Sequence, residues 1–160
     1  MIRGRQPARA GDNNVLYFAY GSNLDEAQMR DRCPSAVRGP RAVLRGYALT
    51  FGGFSHRWGG AVASIVRARG EEVRGLLYAI DADDVARLDR FEGHPWAYER
   101  VQRIVHDDAG HRRRVHLYLQ PEDEFAPWTP APGYVAVLRR AYARLGFDRR
   151  LLAAAARVAA

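Results

Sequence analysis

A strongly apolar and aromatic run near the start of the chain, VLYFAY, stops abruptly at Gly21. Its first part, Val15 to Ala19, predicts a buried β-strand because β-branched and aromatic residues favour strands. The residues that follow, GSNLDE, are small or polar. Glycine lets backbone approach a ligand closely, and a helix that begins here would offer unpaired N–H groups to a carboxylate. The stretch therefore predicts either an ordinary strand–turn–helix or the backbone half of a binding site.

Four segments have the signals of helices. LDEAQMRDRC places acidic residues in its first turn and arginines in its last, with Asn23 available as its cap. DADDVARLDRFEG predicts a second helix, capped by Asp81 or Asp83 and ended by Gly93. The third prediction covers Gly133 to Leu145, and the fourth is the alanine-rich C-terminal segment.

Strand signals are more frequent than helix signals. AVLRGYALTF alternates apolar residues, and AVASIVRA and VRGLLYAI predict two further strands joined by a turn at RGEE. YERVQRIVHDDAGHRRRVHLYLQ predicts a hairpin with its turn at DDAG, and FGGFSHRWGG predicts a loop near a site or a hairpin end. The class is α+β, with a mainly antiparallel sheet that can close into a barrel.

The length of 160 residues predicts one domain, which we place at residues 15–160 after a disordered leader at residues 1–14. The leader lacks the apolar core of a secretory signal, and no stretch approaches the roughly 18 apolar residues of a spanning helix. A single cysteine, Cys33, excludes an internal disulfide and fits a reducing cytoplasm. We expect a cytoplasmic protein without a membrane partner.

The net charge of +7 and the pI near 10.2 would suit a nucleic-acid-binding protein. All 25 basic residues are arginine, however, and they are scattered except in HRRRVH. This pattern favours a compositional bias, so we expect no nucleic-acid partner. The absence of lysine excludes a Schiff-base or P-loop lysine.

Metal and nucleophile chemistry find no support in the spacing. The five histidines form no ligand motif, and Ser22 does not lie in a GxSxG elbow. Cys33 stands at a helix end before proline, where the helix dipole raises the pKa of a thiol. The residue spacing therefore predicts no metal site.

Glu92 is unusual because it lies at the predicted end of a helix, where a negative charge is unfavourable. Phe91 and Trp96 are close enough in sequence to desolvate it, which would raise its pKa and suit a general base near neutral pH. The alternative is a solvent-facing Glu92 paired with Arg87 or Arg90.

Tyr118 lies in an alternating segment, RVHLYLQ. Val115, Leu117 and Leu119 share one face of the predicted strand, and Tyr118 shares the other with His116 and Gln120. Its hydroxyl could serve a cavity, or the ring could be an exposed aromatic.

The order of these features resembles the γ-glutamylcyclotransferase-like (AIG2-like) family. The resemblance runs from about Val15 to Leu145, and it rests most specifically on YGSNL paired with a glutamate before glycine at the end of a short helix. The motifs that carry it are YFAYGSNL, RCPSA, WGGAVASIV, VRGLLYAI, LDRFEG, a later YL and PAPGY.

The family implies a small mixed β-barrel flanked by helices, and a reaction that needs no metal or cofactor. It turns a γ-glutamyl amide into 5-oxoproline with release of a free amine or amino acid. By this resemblance Glu92 is the general acid/base, which takes a proton from the substrate α-ammonium and returns it to the leaving amine.

The resemblance also implies the substrate-binding residues and the partner. The backbone of the glycine loop would hold the glutamyl group, and the matching residues are Tyr17, Tyr20, Gly21, Ser22, Asn23, Tyr118 and Tyr134. The partner is then a small-molecule γ-glutamyl substrate, and a homodimer is left open. Two alternatives remain: a γ-glutamylamine cyclotransferase for ε-lysyl or polyamine amides, or a non-catalytic γ-glutamyl-binding module.

Overall fold

The computed structural model describes residues 14–159, so the predicted leader lies outside the described residues except for Asn14. A short 3-10 turn at Ser22–Leu24 follows the first strand. The five strands are β1 (Val15–Ala19), β2 (Val37–Ser55), β3 (Gly60–Ile80), β4 (Glu99–Asp107) and β5 (Arg112–Leu119). The four helices are α1 (Glu26–Arg32), α2 (Ala82–Glu92), α3 (Pro132–Leu145) and α4 (Arg149–Ala159).

The strands form a closed barrel in the order β1-β3-β2-β4-β5. Neighbouring strands are antiparallel except for β1 and β5, which pair in parallel at Tyr17 and His116. Closure gives each strand two neighbours in the sheet, which limits the edge that is open to association. The predicted α+β class and the mixed, mainly antiparallel barrel are confirmed.

The prediction of a turn at RGEE is wrong, because β3 is one continuous strand of 21 residues. Its partner β2 is nearly as long, so Arg45 still faces Glu72 where the turn was expected. The ladder shifts register just after Arg45, and Gly46 and Gly70 both have φ of +81°. Glycine at positive φ here bends a long hairpin instead of reversing the chain. The FGGFSHRWGG segment is the end of this hairpin, between Ser55 and Gly60, and it also lines the cavity described below, so both interpretations hold.

The helix boundaries follow local capping. Asp25, rather than Asn23, caps α1, because its side chain accepts hydrogen bonds from the N–H groups of Ala27 and Gln28. Asp81 caps α2 by accepting from the N–H of Asp84. Gly93 ends α2 in the left-handed conformation with φ of +68°, as predicted from the sequence. These caps place Glu92 in the last turn of α2, directly before the chain reverses.

The core fills the barrel and the spaces under the helices. Phe18 on β1 is fully buried and packs on Gly75 of β3, where a Cβ atom would come within 2.4 Å of the Phe18 ring. Leu138 and Tyr142 of α3 are also buried. Among residues 14–159, no helix has both the length and the apolar character needed to cross a bilayer.

Candidate functional site

A cavity of about 480 Å³ opens at the end of the barrel where β1 runs into the 3-10 turn and α2 ends. Its volume is within the range of small-molecule sites. The structure brings all the residues predicted for the site to its wall: Tyr17, Tyr20, Gly21, Ser22, Asn23, Glu92, Tyr118 and Tyr134.

Glu92 reaches this cavity from the last position of α2, and its side chain is 17% exposed. Its Oε1 accepts a hydrogen bond from Nδ2 of Asn23 at 3.3 Å and lies 3.8 Å from Nη1 of Arg32. Arg32, on α1, is therefore the ionic partner, and the predicted alternative of Arg87 or Arg90 is wrong. Burial raises the pKa of Glu92 above its ordinary value, while Arg32 and the Asn23 amide oppose this rise.

Asn23 links the 3-10 turn to three other elements. Its Nδ2 donates to the hydroxyl of Tyr17 at 3.0 Å as well as to Glu92. Its Oδ1 accepts from Nε2 of Gln28 at 3.0 Å and from Nη1 of Arg32 at 3.2 Å. All the hydrogen-bonding positions of the amide are thus used, and this determines the direction of its N–H groups. Instead of capping a helix, Asn23 presents a donor to Glu92.

Gly21 and Ser22 form the floor of the site beneath Tyr134. The backbone N–H of Ser22 donates to the hydroxyl of Tyr134 at 3.3 Å. A Cβ atom on Gly21 would come within 2.7 Å of that hydroxyl oxygen, so only glycine fits without a shift. The Ser22 hydroxyl accepts from Nε2 of Gln28 at 2.7 Å. Tyr134 therefore positions the loop from α3, more than a hundred residues later in the chain.

Tyr118 connects β5 to α2 at the wall of the cavity. Its hydroxyl donates to Oδ1 of Asp89 at 2.7 Å, and that oxygen also accepts from Nε of Arg100 at 2.9 Å. Its backbone carbonyl accepts from the hydroxyl of Tyr20, and its ring packs edge-on against Tyr17. Tyr118 thus lines the cavity with its ring while its hydroxyl bonds to α2 one turn before Glu92.

The structure adds residues that the sequence patterns did not single out. The Tyr98 hydroxyl donates to the carbonyl of Ala63 at 2.6 Å and accepts from Nε2 of Gln120 at 3.3 Å. Arg32 is another such residue. The helix dipole favours an arginine at both positions in the last turn of α1, so it does not distinguish the mostly buried side chain of Arg32 from the exposed Arg30. No local signal identifies these residues, since their neighbours in space come from distant parts of the chain.

The site tyrosines are kept neutral. Burial raises the pKa values of Tyr17, Tyr20 and Tyr98 well above the ordinary value, and it raises the pKa of Tyr134 to about 12. At neutral pH their hydroxyls therefore act as hydrogen-bonding groups and not as charges.

Cys33 is free and buried. Burial raises the pKa of Cys33 to about 12, with a further contribution from Asp84. The direction agrees with the prediction, but burial is the larger cause. Within residues 14–159, no group of three or more His, Cys, Asp or Glu side chains is placed to hold a metal ion.

Comparison with known proteins identifies the family. The family model for gamma-glutamyl cyclotransferase, AIG2-like, matches residues 17–135. The γ-glutamylcyclotransferase of Mus musculus is 36% identical over 128 residues, which cover 77% of this chain and 67% of the mouse protein. The γ-glutamylcyclotransferase of Homo sapiens is 32% identical over 132 residues, covering 79% of this chain and 69% of the human one.

A solved structure of a γ-glutamyl cyclotransferase has the same fold. It aligns with a TM-score of 0.79 and 28% sequence identity over 89% of this chain and 86% of its own. The region that the family model matches runs from β1 to the first turn of α3 and includes the glycine loop, Glu92 and Tyr134. The chain belongs to the γ-glutamyl cyclotransferase, AIG2-like family and is an enzyme of that family.

Proposed function

We propose that this enzyme converts a γ-glutamyl amide into 5-oxoproline and a free amine, with Glu92 as its general base and acid. The observation that carries the proposal is the mostly buried carboxylate of Glu92 in the cavity wall, held by Asn23 beside the glycine loop. The other carboxylate of the wall, Glu124, is exposed. The relatives named γ-glutamylcyclotransferase support the same reaction class.

The protons that move in this reaction come from the substrate's own α-ammonium group. Glu92, as a carboxylate, takes one proton from this group, and the freed nitrogen attacks the γ-carbonyl carbon. The tetrahedral intermediate collapses as the bond to the leaving nitrogen breaks and Glu92 returns its proton to that nitrogen. The ring nitrogen loses a second proton to the released amine, which leaves as an ammonium ion.

The environment of Glu92 suits both halves of this cycle. Burial raises its pKa, so the carboxyl holds a proton more readily than an exposed glutamate does. Arg32 and the Asn23 amide favour the ionised form, so the group can start the cycle as a base. A general base works best when its pKa lies near the operating pH.

The glycine loop supplies the binding half of the site. The N–H of Ser22 makes a long bond of 3.3 Å to Tyr134, which a developing oxyanion can replace. Gly21 keeps the space beside it open. Holding the glutamyl chain bent toward its own carbonyl contributes further rate, because an oriented intramolecular attack has a high effective concentration.

Replacement of Glu92 tests this function. We expect Glu92→Gln to keep the fold and to lose about 10²- to 10⁴-fold in 5-oxoproline release, the usual contribution of a general acid/base. The substrates to offer are γ-glutamyl-alanine, glutathione and γ-glutamyl-ε-lysine, with 5-oxoproline measured by mass spectrometry and the fold checked by circular dichroism.

The matched control is Glu99→Gln, which changes an exposed glutamate seven residues later. Its turnover should equal that of the unmodified enzyme. Undiminished turnover by Glu92→Gln would rule out the assigned mechanism, and absence of 5-oxoproline from every substrate would contradict the function.

The remaining expectations stay predictions. They are a cytoplasmic location, a small-molecule substrate without nucleic-acid or membrane partners, and independence of metals and cofactors. Homodimer formation also stays open.

A further inference from the structure

The cavity has a buried end and an open end, and they differ in chemistry. The buried end carries Glu92, Asn23 and the glycine loop, which under the proposed function hold the γ-glutamyl group. That group is common to every substrate of the reaction. The open end therefore faces the leaving group, and its side chains determine which amine the enzyme prefers. This inference about the leaving group rests on the proposed function.

Aromatic side chains surround the open end. Phe54 is the second-last residue of β2, Phe91 lies on α2, and Trp96 follows α2. They are 59%, 54% and 84% exposed, and all line the cavity. Scattered exposed apolar residues need no explanation, but a cluster around one opening is typical of a ligand-binding surface. Their exposure leaves apolar area that a bound apolar group would cover.

Trp58 connects this aromatic rim to the buried end. It lies in the turn between β2 and β3 and is partly buried. Its ring packs edge-on against Tyr134 at a centroid distance of 5.3 Å, and Tyr134 in turn accepts the hydrogen bond from Ser22. A leaving group attached to the γ-carbonyl would thus pass directly from the glycine loop onto an aromatic wall.

The charges at the open end are one cation and one anion, Arg57 and Glu124, both exposed. The guanidinium of Arg57 lies 5.8 Å from the centroid of the Trp58 ring, so its charge is next to the aromatic wall. A leaving amino acid carries a carboxylate that Arg57 can pair with. A polyamine or lysyl group instead brings a cation, which Arg57 repels and for which Glu124 is the partner available at this end.

We propose that the preferred substrates are γ-glutamyl dipeptides whose second residue has an aromatic side chain, seated against Trp58 and Trp96 with its carboxylate toward Arg57. Covering a large apolar side chain on a partly exposed wall is worth about a tenfold gain in kcat/KM over alanine.

The test measures kcat/KM for three substrates: γ-glutamyl-phenylalanine, γ-glutamyl-alanine and γ-glutamyl-ε-lysine. Each is offered to the unmodified enzyme, to Trp58→Ala and to Trp96→Ala. The expected result is a roughly tenfold preference for the phenylalanine substrate over the alanine substrate. In both variants this ratio should fall toward one, mainly through a higher KM. Equal kcat/KM for the two dipeptides, or a preference that survives in both variants, would overturn the proposal.

Trp128→Ala is the matched control, because Trp128 is also exposed, at 60%, and does not line the cavity. Its phenylalanine-to-alanine ratio should match that of the unmodified enzyme. A ratio that falls equally in this variant would show an unspecific effect and would also overturn the proposal.

Binding separates this inference from the proposed function. If no substrate yields 5-oxoproline, the proposed function is wrong. The preference for an aromatic leaving group can still be tested by measuring, with calorimetry, the dissociation constants of the two dipeptides for Glu92→Gln. About tenfold tighter binding of γ-glutamyl-phenylalanine supports it. Equal affinities or no binding would reject it.

Discussion

Nη1 of Arg32 lies 3.8 Å from Oε1 of Glu92, and both also contact the side-chain amide of Asn23. The side chain of Arg32 is only 10% exposed, and its guanidinium lies 4.9 Å from the centroid of the Phe91 ring. A buried carboxylate without such a partner would be held protonated by desolvation. Arg32 therefore opposes the rise in the pKa of Glu92 that burial causes, and under the proposed function this favours the carboxylate form that acts as the base.

Removal of this cation should move the pH profile of the enzyme. Under the proposed function Glu92 acts as a carboxylate, so activity should rise as the pH increases through the pKa of Glu92. Arg32 lowers that pKa, and Arg32→Leu should therefore raise it and shift the acidic limb of kcat/KM to higher pH. We expect a several-fold loss on the acidic side of the profile that recovers as the pH increases.

The measurement is kcat/KM for 5-oxoproline release between pH 5 and pH 9. Arg30→Leu, on the exposed face of the same helix, is the control, and its limb should not move. The charge of Glu92 also acts on four titratable side chains, those of Tyr17, Tyr20, Tyr98 and Tyr134. Their raised pKa values keep them neutral over this range. An unmoved limb in Arg32→Leu would contradict the electrostatic role.

Gly21 should tolerate no side chain. A Cβ atom would come within 2.7 Å of the Tyr134 hydroxyl, so Gly21→Ala must displace either the loop or Tyr134. We expect roughly 10- to 100-fold lower kcat/KM, the usual effect of a small misplacement of binding groups. Removal of the clashing oxygen in Gly21→Ala/Tyr134→Phe should recover part of this loss. A double variant worse than Gly21→Ala would show that the hydroxyl is not the obstacle.

Asp84 connects α2 to the segment before β2, and its loss should destabilise the fold. Its Oδ2 accepts from the backbone N–H of Ser35 at 2.7 Å and also from the Ser35 hydroxyl. Asp84 is only 2% exposed, and Asp84→Ala leaves the partly buried donors of Ser35 without this partner. We expect the free energy of unfolding to fall by about 1–3 kcal/mol. Urea denaturation measures this, and the exposed Asp83→Ala should change little; equal stabilities would refute the prediction.

Gly75 on β3 should not tolerate a side chain, because the space around it is filled by β1. A Cβ atom there would lie 2.4 Å from the Phe18 ring and 2.5 Å from the carbonyl oxygen of Ala19. Since backbone cannot move aside easily, Gly75→Ala should lower the free energy of unfolding by about 1–3 kcal/mol. In the control, Gly133→Ala on α3, the nearest atom to the added Cβ is 4.0 Å away, and its stability should be equal or greater. A stable Gly75→Ala variant would show that β1 and β3 can separate.

Local signals determined much of the secondary structure. The polarity of α1 and the glycine after Glu92 predicted helices that the structure contains, and the alternation in VHLYL predicted a strand. The prediction of a turn at RGEE was wrong because Gly70 is also compatible with a bend inside a strand. A second long strand beside it decides between the two conformations, and that strand lies some 25 residues earlier in the chain.

The sequence by itself indicated which residues could meet: its motifs resemble a family, and this resemblance implied one site for YGSN and Glu92. The structure places both in the wall of one cavity. Only the tertiary structure decided their contacts. Barrel closure and the packing of α1 against α2 bring Arg32, and not a neighbour of Glu92 in sequence, to its carboxylate. Side-chain chemistry is encoded residue by residue, but hydrogen bonds and burial act across space, so the charge state of Glu92 depends on elements about sixty residues apart.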